Sequence, residues 1–233
     1  MEKNLLSIDW DYFIPIKKEW CGSYIENKRN ISKIWYNRYI SNNMIENNLE
    51  ESIHVGSECN DFWDKIKKYF NISKSVKVFI SDSHKLSYKI AKENACNKVF
   101  SFDAHSDLGY GGLKSLDFEL NCANWLGKLL KDCVIKKANI IYSPYSYEKK
   151  EDFNEMNTKF NIDYCNLKKL KEKEDVTVIH ICRSGAWTPP WLDCKFRKFV
   201  KNLKLPYKVI NCPNREWNIE NLTLSEQLDY ILC

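Results

Sequence analysis

The chain has 233 residues, of which 44% are hydrophobic and 14% aromatic, with 36 basic residues against 31 acidic ones. This composition excludes an intrinsically disordered protein, and the length fits one ordinary domain with a sizeable core. The net charge of +5 is a mild excess spread along the chain, which argues against a nucleic-acid-binding protein.

No apolar run approaches the roughly 20 residues that a membrane-spanning helix needs, so we expect no membrane partner. The ten cysteines include no CxxC pair, and the N-terminus does not resemble a signal peptide. These features predict reduced thiols in a cytoplasmic protein. Composition leaves the oligomeric state open.

Short apolar runs alternate with amphipathic segments along the chain, and this alternation predicts strands separated by helices. The predicted strands are residues 5–11, 76–81, 98–103, 139–143, 176–183 and 207–211. The predicted helices lie near residues 32–45, 60–70, 86–94, 119–131, 149–159 and 193–203. Several strands are apolar on both faces, as is typical of parallel strands covered by helices. We therefore predict a single domain over residues 1–233 with a three-layer α/β/α fold and a doubly wound, mainly parallel sheet.

Two aspartates end the first predicted strand, in the sequence Ser7-Ile8-Asp9-Trp10-Asp11. Because side chains alternate along a strand, Asp9 and Asp11 would point to the same face. Two such carboxylates repel each other unless a positive group lies between them, and a divalent metal ion is one such group. The alternative is that this short motif only caps the following turn.

A second acidic motif, Asp103-Ala104-His105-Ser106-Asp107, closes the strand that begins at Lys98. If the chain stayed extended, its two carboxylates and its imidazole would share one face. Carboxylates with imidazole suit Mn²⁺, Fe²⁺, Zn²⁺ or Co²⁺, and burying them without a metal or a partner is costly.

A third candidate ligand is His84, which follows the strand at residues 76–81 just before a helix. Alone it is a weak signal, because a hydrogen-bonded structural histidine or a residue at a helix N-terminus is more common. In a parallel sheet, however, it would meet the two acidic motifs at the carboxyl edge, where ligands bind.

The motif DAHSD resembles the D-A-H-x-D motif of the arginase and agmatinase (ureohydrolase) superfamily. SIDWD and SDSH resemble two further metal-binding segments of that superfamily. The segments DWDYF, DAHSDLGY, ANW and CRSGAWTPPWLD are more closely similar to the arginase-like UPF0489 family, which includes the peptide arginases. These matches cover about residues 5–193.

The resemblance implies an arginase-like domain with a binuclear manganese site. Asp9 and Asp103 would bridge the two ions, His84 and Asp107 would complete one of them, and His105 and Asp11 the other. It also implies the activity: arginine side chains of a ribosomally made precursor peptide would be hydrolysed to ornithine with release of urea.

The chain departs from the arginase pattern in three ways. The D-x-D strand precedes DAHSD instead of following it, so the motif order resembles a circular permutation. Leu126 stands where the family has a proton-shuttling histidine, which leaves His54 or His180 as candidates for that role. No residue corresponds to the glutamate that orients the substrate.

The remaining candidates each have a structural alternative. Arg183 and Asn124 could act in catalysis, but Arg183 could equally form a salt bridge within the fold, and Asn124 could cap a helix. Ser184, Trp187 and Asn121 could contact the substrate, although a Trp in this position is as often a packing residue. His180 could likewise be a hydrogen-bonded core histidine.

Other functions remain open at this point. The same metals could serve a small-molecule ureohydrolase or an amide deacetylase. An Asp-nucleophile, Mg²⁺-dependent phosphatase would explain Asp9 and Asp11 but leaves the DAHSD motif without a role. A binding protein whose site has decayed is the non-catalytic alternative.

Overall fold

The structure is a computed structural model, and it describes residues 2–21, 31–43, 48–169 and 172–232. Within these ranges, the centre of the fold is a sheet of eight strands. They are β1 (Asn4–Asp9), β2 (Phe70–Asn71), β3 (Lys77–Ser81), β4 (Lys98–Asp103), β5 (Lys137–Tyr142), β6 (Ile162–Tyr164), β7 (Glu174–Cys182) and β8 (Lys208–Asn211). The order is β6-β5-β4-β1-β7-β3-β8, with β2 added to β7, and the recorded pairings are parallel.

Helices cover both faces of this sheet. They are α1 (Ile31–Asn43), α2 (Leu49–Ser52), α3 (Phe62–Tyr69), α4 (Leu86–Glu93), α5 (Trp125–Lys131), α6 (Asn154–Lys159), α7 (Asp193–Asn202) and α8 (Leu224–Leu232). Leu6 and Ile8 of β1 belong to the core that contains residues of α1, α3 and α7, whereas Leu5 belongs to the core that contains residues of α4 and α5. Because successive side chains of β1 enter different cores, the sheet is the middle layer, and the predicted α/β/α fold is confirmed.

The sheet reverses its direction of winding at β1. β3 lies on one side of β1, beyond β7, and the next long strand, β4, lies directly on the other side. The carboxyl ends of β4, β1, β7 and β3 therefore surround one point at the sheet edge. Ligands of doubly wound sheets bind at such points, because the following loops diverge there and leave a crevice.

Some predicted boundaries are wrong for local reasons. β1 ends at Asp9, because its side chain accepts a hydrogen bond from the Asp11 amide and starts a 3-10 turn over Trp10–Phe13. The predicted helix over 119–131 begins only at Trp125. The helix predicted over 149–159 is divided into a 3-10 turn (Lys150–Phe153) and α6. Residues 44 and 45 of the first predicted helix lie outside the described residues.

Among the described residues, no helix combines the length and the apolar character that crossing a membrane requires. Nine cysteines fall within these ranges, and all of them are free thiols.

Candidate metal centre

Side chains that follow the carboxyl ends of β1, β4 and β3 converge at the reversal point. Asp9 ends β1, Asp103 ends β4, and His84 lies in the turn between β3 and α4. Asp11 belongs to the 3-10 turn after β1, while His105 and Asp107 lie in the loop after β4. All are buried except His105, whose side chain is 16% exposed. The fold thus gathers four carboxylates and two imidazoles in one place.

One group of ligands surrounds the imidazole of His84. Its Nδ1 lies 3.1 Å from Asp9 Oδ2, 2.9 Å from Asp103 Oδ2 and 2.9 Å from Asp107 Oδ2. The other ring nitrogen, Nε2, lies 2.8 Å from Ser7 Oγ. His84 therefore directs Nδ1 toward the carboxylates and has a separate partner for Nε2.

A second group forms around His105 and shares Asp103 with the first. His105 Nδ1 lies 3.0 Å from Asp11 Oδ2 and 3.6 Å from Asp103 Oδ1. The backbone amide of His105 donates to Asp103 Oδ1 at 2.8 Å, and the amide of Ala104 donates to Asp11 Oδ1 at 3.3 Å. Asp103 thus presents one oxygen to each group, as a carboxylate between two ions would.

The backbone route to this arrangement differs from the extended chain that was predicted. Asp11 reaches the site from a 3-10 turn, and Asp107 has a left-handed backbone with φ of 52°. This φ turns the Asp107 carboxylate toward His84 instead of placing it beside His105. The turn packs closely on α5, where a Cβ added at Gly127 would lie 2.2 Å from the carbonyl oxygen of Leu108. The extended conformation predicted from side-chain alternation is therefore wrong, although the same residues meet.

The electrostatics of the group are unfavourable without a cation. Burial, followed by the charge of neighbouring aspartates, raises the pKa of Asp9, of Asp103 and of Asp107 to about 6 in each case. Burial disfavours the charged form of His84 and His105, but the surrounding carboxylates outweigh it and raise the pKa of both well above the usual range. For Asp11, burial is outweighed by the hydrogen bond from His105 and its charge, so its pKa is lowered.

The donor atoms fit a divalent metal ion. His84 Nδ1 and Asp103 Oδ2 are buried and lie 2.9 Å apart, yet neither has a partner in hydrogen-bond geometry among the described residues. The donors form two sets of three, and within each set the ligand atoms lie within 4.8 Å of one another. The sets are Asp9–His84–Asp103 and Asp11–Asp103–His105. Oxygen and imidazole nitrogen are ligands that Mn²⁺, Fe²⁺ and Zn²⁺ accept. The buried Asp/His cluster could therefore hold a metal ion.

The cluster opens into a cavity of about 250 Å³. Ser184 and Trp187, predicted as substrate contacts, line it together with Tyr110, Cys21, Cys122 and Ala123. Ser184 Oγ donates to Asp9 Oδ2 at 2.5 Å, so it also fixes a candidate ligand. A neighbouring cavity of about 270 Å³ shares Asp11, His105 and Trp187 with the first and continues toward Tyr145 and Glu148.

The other five residues predicted to act in catalysis or to contact the substrate, which include Arg183, do not line this cavity. His54 is exposed after α2, and His180 is fully buried in β7 with its ring centroid 6.0 Å from that of His84. Asn121 and Asn124 bond to the backbone of the loop before α5: Asn124 Oδ1 accepts from the amide of Asn121, and Asn121 Oδ1 accepts from that of Ala123. These two asparagines therefore shape the cavity wall without facing the cluster.

Arg183 belongs to a buried ion network beside the cluster. Its Nε donates to Asp82 at 2.7 Å, its Nη1 to Asp193 at 3.0 Å and its Nη2 to the carbonyl of Pro213 at 2.7 Å. Arg215 pairs with the same Asp193. Arg183 therefore forms salt bridges within the fold, which is the structural alternative given for it above.

Replacing Arg183 with lysine is expected to lower the free energy of unfolding by about 1–3 kcal/mol, because one ammonium cannot reach all three acceptors and leaves a buried one unpaired. Urea denaturation measures the effect. Arg197→Lys, at an exposed position of α7, is the matched control. Equal denaturation midpoints for the two variants would contradict the structural role.

Several residues around the cluster were not predicted. Trp125 Nε1 donates to Asp107 Oδ2 at 2.5 Å, and Ser7 contacts His84. Glu148 accepts from the amide of Ser106 at 2.8 Å and from the hydroxyl of Tyr110. Ser7 and Trp125 lie in the SIDWD and ANW segments. The similarity of these segments to the arginase pattern could have identified both residues as neighbours of the site. Glu148 lies in a loop with no pattern of its own.

We also compared the chain with known proteins. Searches against protein-family models, curated protein sequences and solved structures found no match.

Proposed function

We propose that this protein is a two-metal hydrolase that removes urea from guanidino groups, acting on arginine side chains of a ribosomally made precursor peptide. The observation that carries the proposal is Asp103, which is shared by two buried groups of Asp and His donors. Such sharing is the geometry of paired ions, whose spacing of about 3.5–4 Å suits hydrolysis. Carboxylate and imidazole ligands are compatible with Mn²⁺.

The side chains have separate tasks in this proposal. Two bound divalent ions lower the pKa of water and so supply a nucleophile at neutral pH. Asp9, His84, Asp103 and Asp107 would hold one ion, and Asp11, His105 and the shared Asp103 would hold the other. Ser184 and Trp125 hold Asp9 and Asp107 in place through the hydrogen bonds described above. Trp187 covers the cavity beside His105 and limits the access of bulk water.

The neighbouring cavity supports a substrate longer than a free amino acid. It shares a wall with the metal cavity and includes Tyr147, which is 52% exposed, so it opens toward solvent. Glu148 borders it, and burial raises the pKa of this carboxyl. Among the described residues no Lys or Arg is a main contributor to the electrostatics of Glu148, and a substrate guanidinium would add that positive charge. We therefore assign Glu148 as the anchor of the substrate cation.

Glu148→Gln is expected to raise KM for an arginine peptide roughly 10–100-fold, the equivalent of losing one charged hydrogen bond. The affinity for Mn²⁺ should not change, because Glu148 is outside both ligand groups. Steady-state kinetics and metal titration measure the two effects. Glu151→Gln, at an exposed position of the following turn, is the control. An unchanged KM would reject the assignment.

The direct test of the function is a product assay with Mn²⁺ present. An arginine peptide, free arginine, agmatine and an acetyl-lysine peptide are each incubated with the protein, and urea and acetate are measured separately. We expect urea from the arginine peptide. Acetate without urea would instead indicate an amide deacetylase. Neither product from any substrate, with metal bound, would contradict hydrolysis of this kind.

A further inference from the structure

A row of buried hydroxyl groups connects His84 to His180 in the middle of the sheet. His84 Nε2 lies 2.8 Å from Ser7 Oγ, which lies 2.9 Å from Ser87 Oγ, and Ser87 Oγ lies 2.5 Å from His180 Nδ1. Beyond His180, Nε2 lies 2.8 Å from Ser81 Oγ, which lies 3.0 Å from the carbonyl oxygen of Ser83. These serines and both histidines are at most 1% exposed, apart from Ser83.

The carbonyl at the end of the row determines its direction. A carbonyl oxygen only accepts, so the single proton of the Ser81 hydroxyl is donated to Ser83. Ser81 Oγ must then accept from His180, which places a proton on His180 Nε2. In a neutral imidazole this leaves His180 Nδ1 as an acceptor, so Ser87 donates to it.

The order of donors and acceptors continues to the candidate metal site. Ser87 has used its proton on His180, so it accepts from Ser7, and Ser7 in turn accepts from His84 Nε2. His84 therefore carries a proton on Nε2, and Nδ1, the atom that faces Asp9, Asp103 and Asp107, can lose its proton to a metal ion. If the hydrogen bonds ran in the reverse direction, the Ser7 hydroxyl would donate to His84 Nε2. The imidazole proton of His84 would then stay on Nδ1, where it blocks coordination of a metal ion.

We propose that His180 is a positioning residue which, together with Ser81, Ser87 and Ser7, transmits the direction set by the Ser83 carbonyl and keeps His84 in its metal-binding tautomer. Only a neutral His180 can accept from Ser87, and the complete burial of the ring, with both nitrogens facing serine hydroxyls, favours the neutral form. The inference rests on the metal site of the proposed function, but not on the identity of the substrate. It replaces the proton-shuttle role that was considered for His180.

The first test reads the tautomers in the metal-free protein, where no activity is needed. The chain has four histidines, so ¹⁵N-histidine labelling and long-range ¹H–¹⁵N correlation resolve each ring. His180→Asn assigns the His180 signals. We expect His180 to be neutral near pH 7, with its proton on Nε2 and a bare Nδ1. A proton on His180 Nδ1 would overturn the inference, whether or not the protein releases urea.

The second test measures the dissociation constant for Mn²⁺. Ser87→Ala removes a hydroxyl that, in the described part of the chain, hydrogen-bonds only with Ser7 and His180, and it keeps the hydrogen bond from the Ser87 amide to the His84 carbonyl. We expect binding about 10–100-fold weaker, as when an outer partner of a metal-bound histidine is lost. Ser101→Ala is the matched control, because Ser101 pairs with Ser7 across the sheet, is 1% exposed, and its Oγ makes no hydrogen bond among the described residues. Equal affinities for the two variants would overturn the inference.

Discussion

Asp103→Asn is expected to abolish tight binding of Mn²⁺ and, with it, the release of urea. The side chain gives one oxygen to each ligand group, so its loss damages both ion positions at once. The dissociation constant for Mn²⁺ should rise by more than the roughly 100-fold that the loss of an outer hydrogen-bond partner costs. Asp103 is the residue common to both donor sets, whereas Asp9, His84, Asp11 and His105 each belong to one set, so Asp103 should be the most sensitive position.

Isothermal titration with Mn²⁺ and the urea assay, run on the same preparation, measure the two effects together. Asp64→Asn is the control, because it makes the same chemical change at an exposed position of α3. A variant at position 103 that binds Mn²⁺ as wild type does would show that Asp103 is not a shared ligand. The assignment of both ligand groups would then be wrong.

The metal-free protein is expected to lose stability as pH rises. The pKa of Asp9, Asp103 and Asp107 is about 6 in the folded chain, against about 4 for an unfolded aspartate. The folded state therefore holds more protons than the unfolded state between about pH 4 and pH 6, and the free energy of unfolding falls across that range. The raised pKa values of His84 and His105 have the same sign and extend the loss to higher pH, whereas Asp11 acts in the opposite direction.

Metal binding should reverse this loss at neutral pH. Manganese at about 100 times its dissociation constant adds about 2.7 kcal/mol, which corresponds to about 5–11 °C in Tm for a chain of this size. Asp103→Asn should raise the Tm of the metal-free protein near neutral pH, because it removes one of the repelling charges, and should eliminate the increase caused by Mn²⁺. Near pH 5, where Asp103 is already protonated, the same substitution should have little effect on the metal-free protein.

Thermal unfolding at the two pH values, with EDTA or with Mn²⁺, gives the four comparisons, and Asp64→Asn again controls for the change of side chain. If Asp103→Asn destabilised the metal-free protein equally at both pH values, the carboxylate would have an ordinary structural role. The predicted charge repulsion would then be absent.

The sheet was largely predictable, because a long buried strand produces an unbroken apolar run. β4 was predicted with its observed bounds, Lys98–Asp103, since its apolar run is closed by the acidic motif. β2 and β6 have only two and three residues, too few for any periodicity to appear. α8 was not predicted, and its Leu224, Leu228 and Leu232 are exposed, so its apolar face does not follow from packing on the sheet.

The candidate ligands were also predictable as residue types, because each followed an apolar strand. Their geometry was not, since a 3-10 turn at Asp11 and a left-handed residue at Asp107 depend on local hydrogen bonds and on packing against α5. Contacts between distant segments were beyond any local pattern. Ser87 and His180 are separated by 93 positions, and Ser106 and Glu148 by 42, so only the folded chain relates them.

The metal content of the purified protein tests the central claim most directly. The protein is stripped with a chelator, reconstituted with Mn²⁺, freed of unbound metal and measured by inductively coupled plasma mass spectrometry. The shared position of Asp103 between two donor groups predicts two equivalents of manganese per chain. A folded protein that retains no manganese after careful reconstitution would contradict the account of this site.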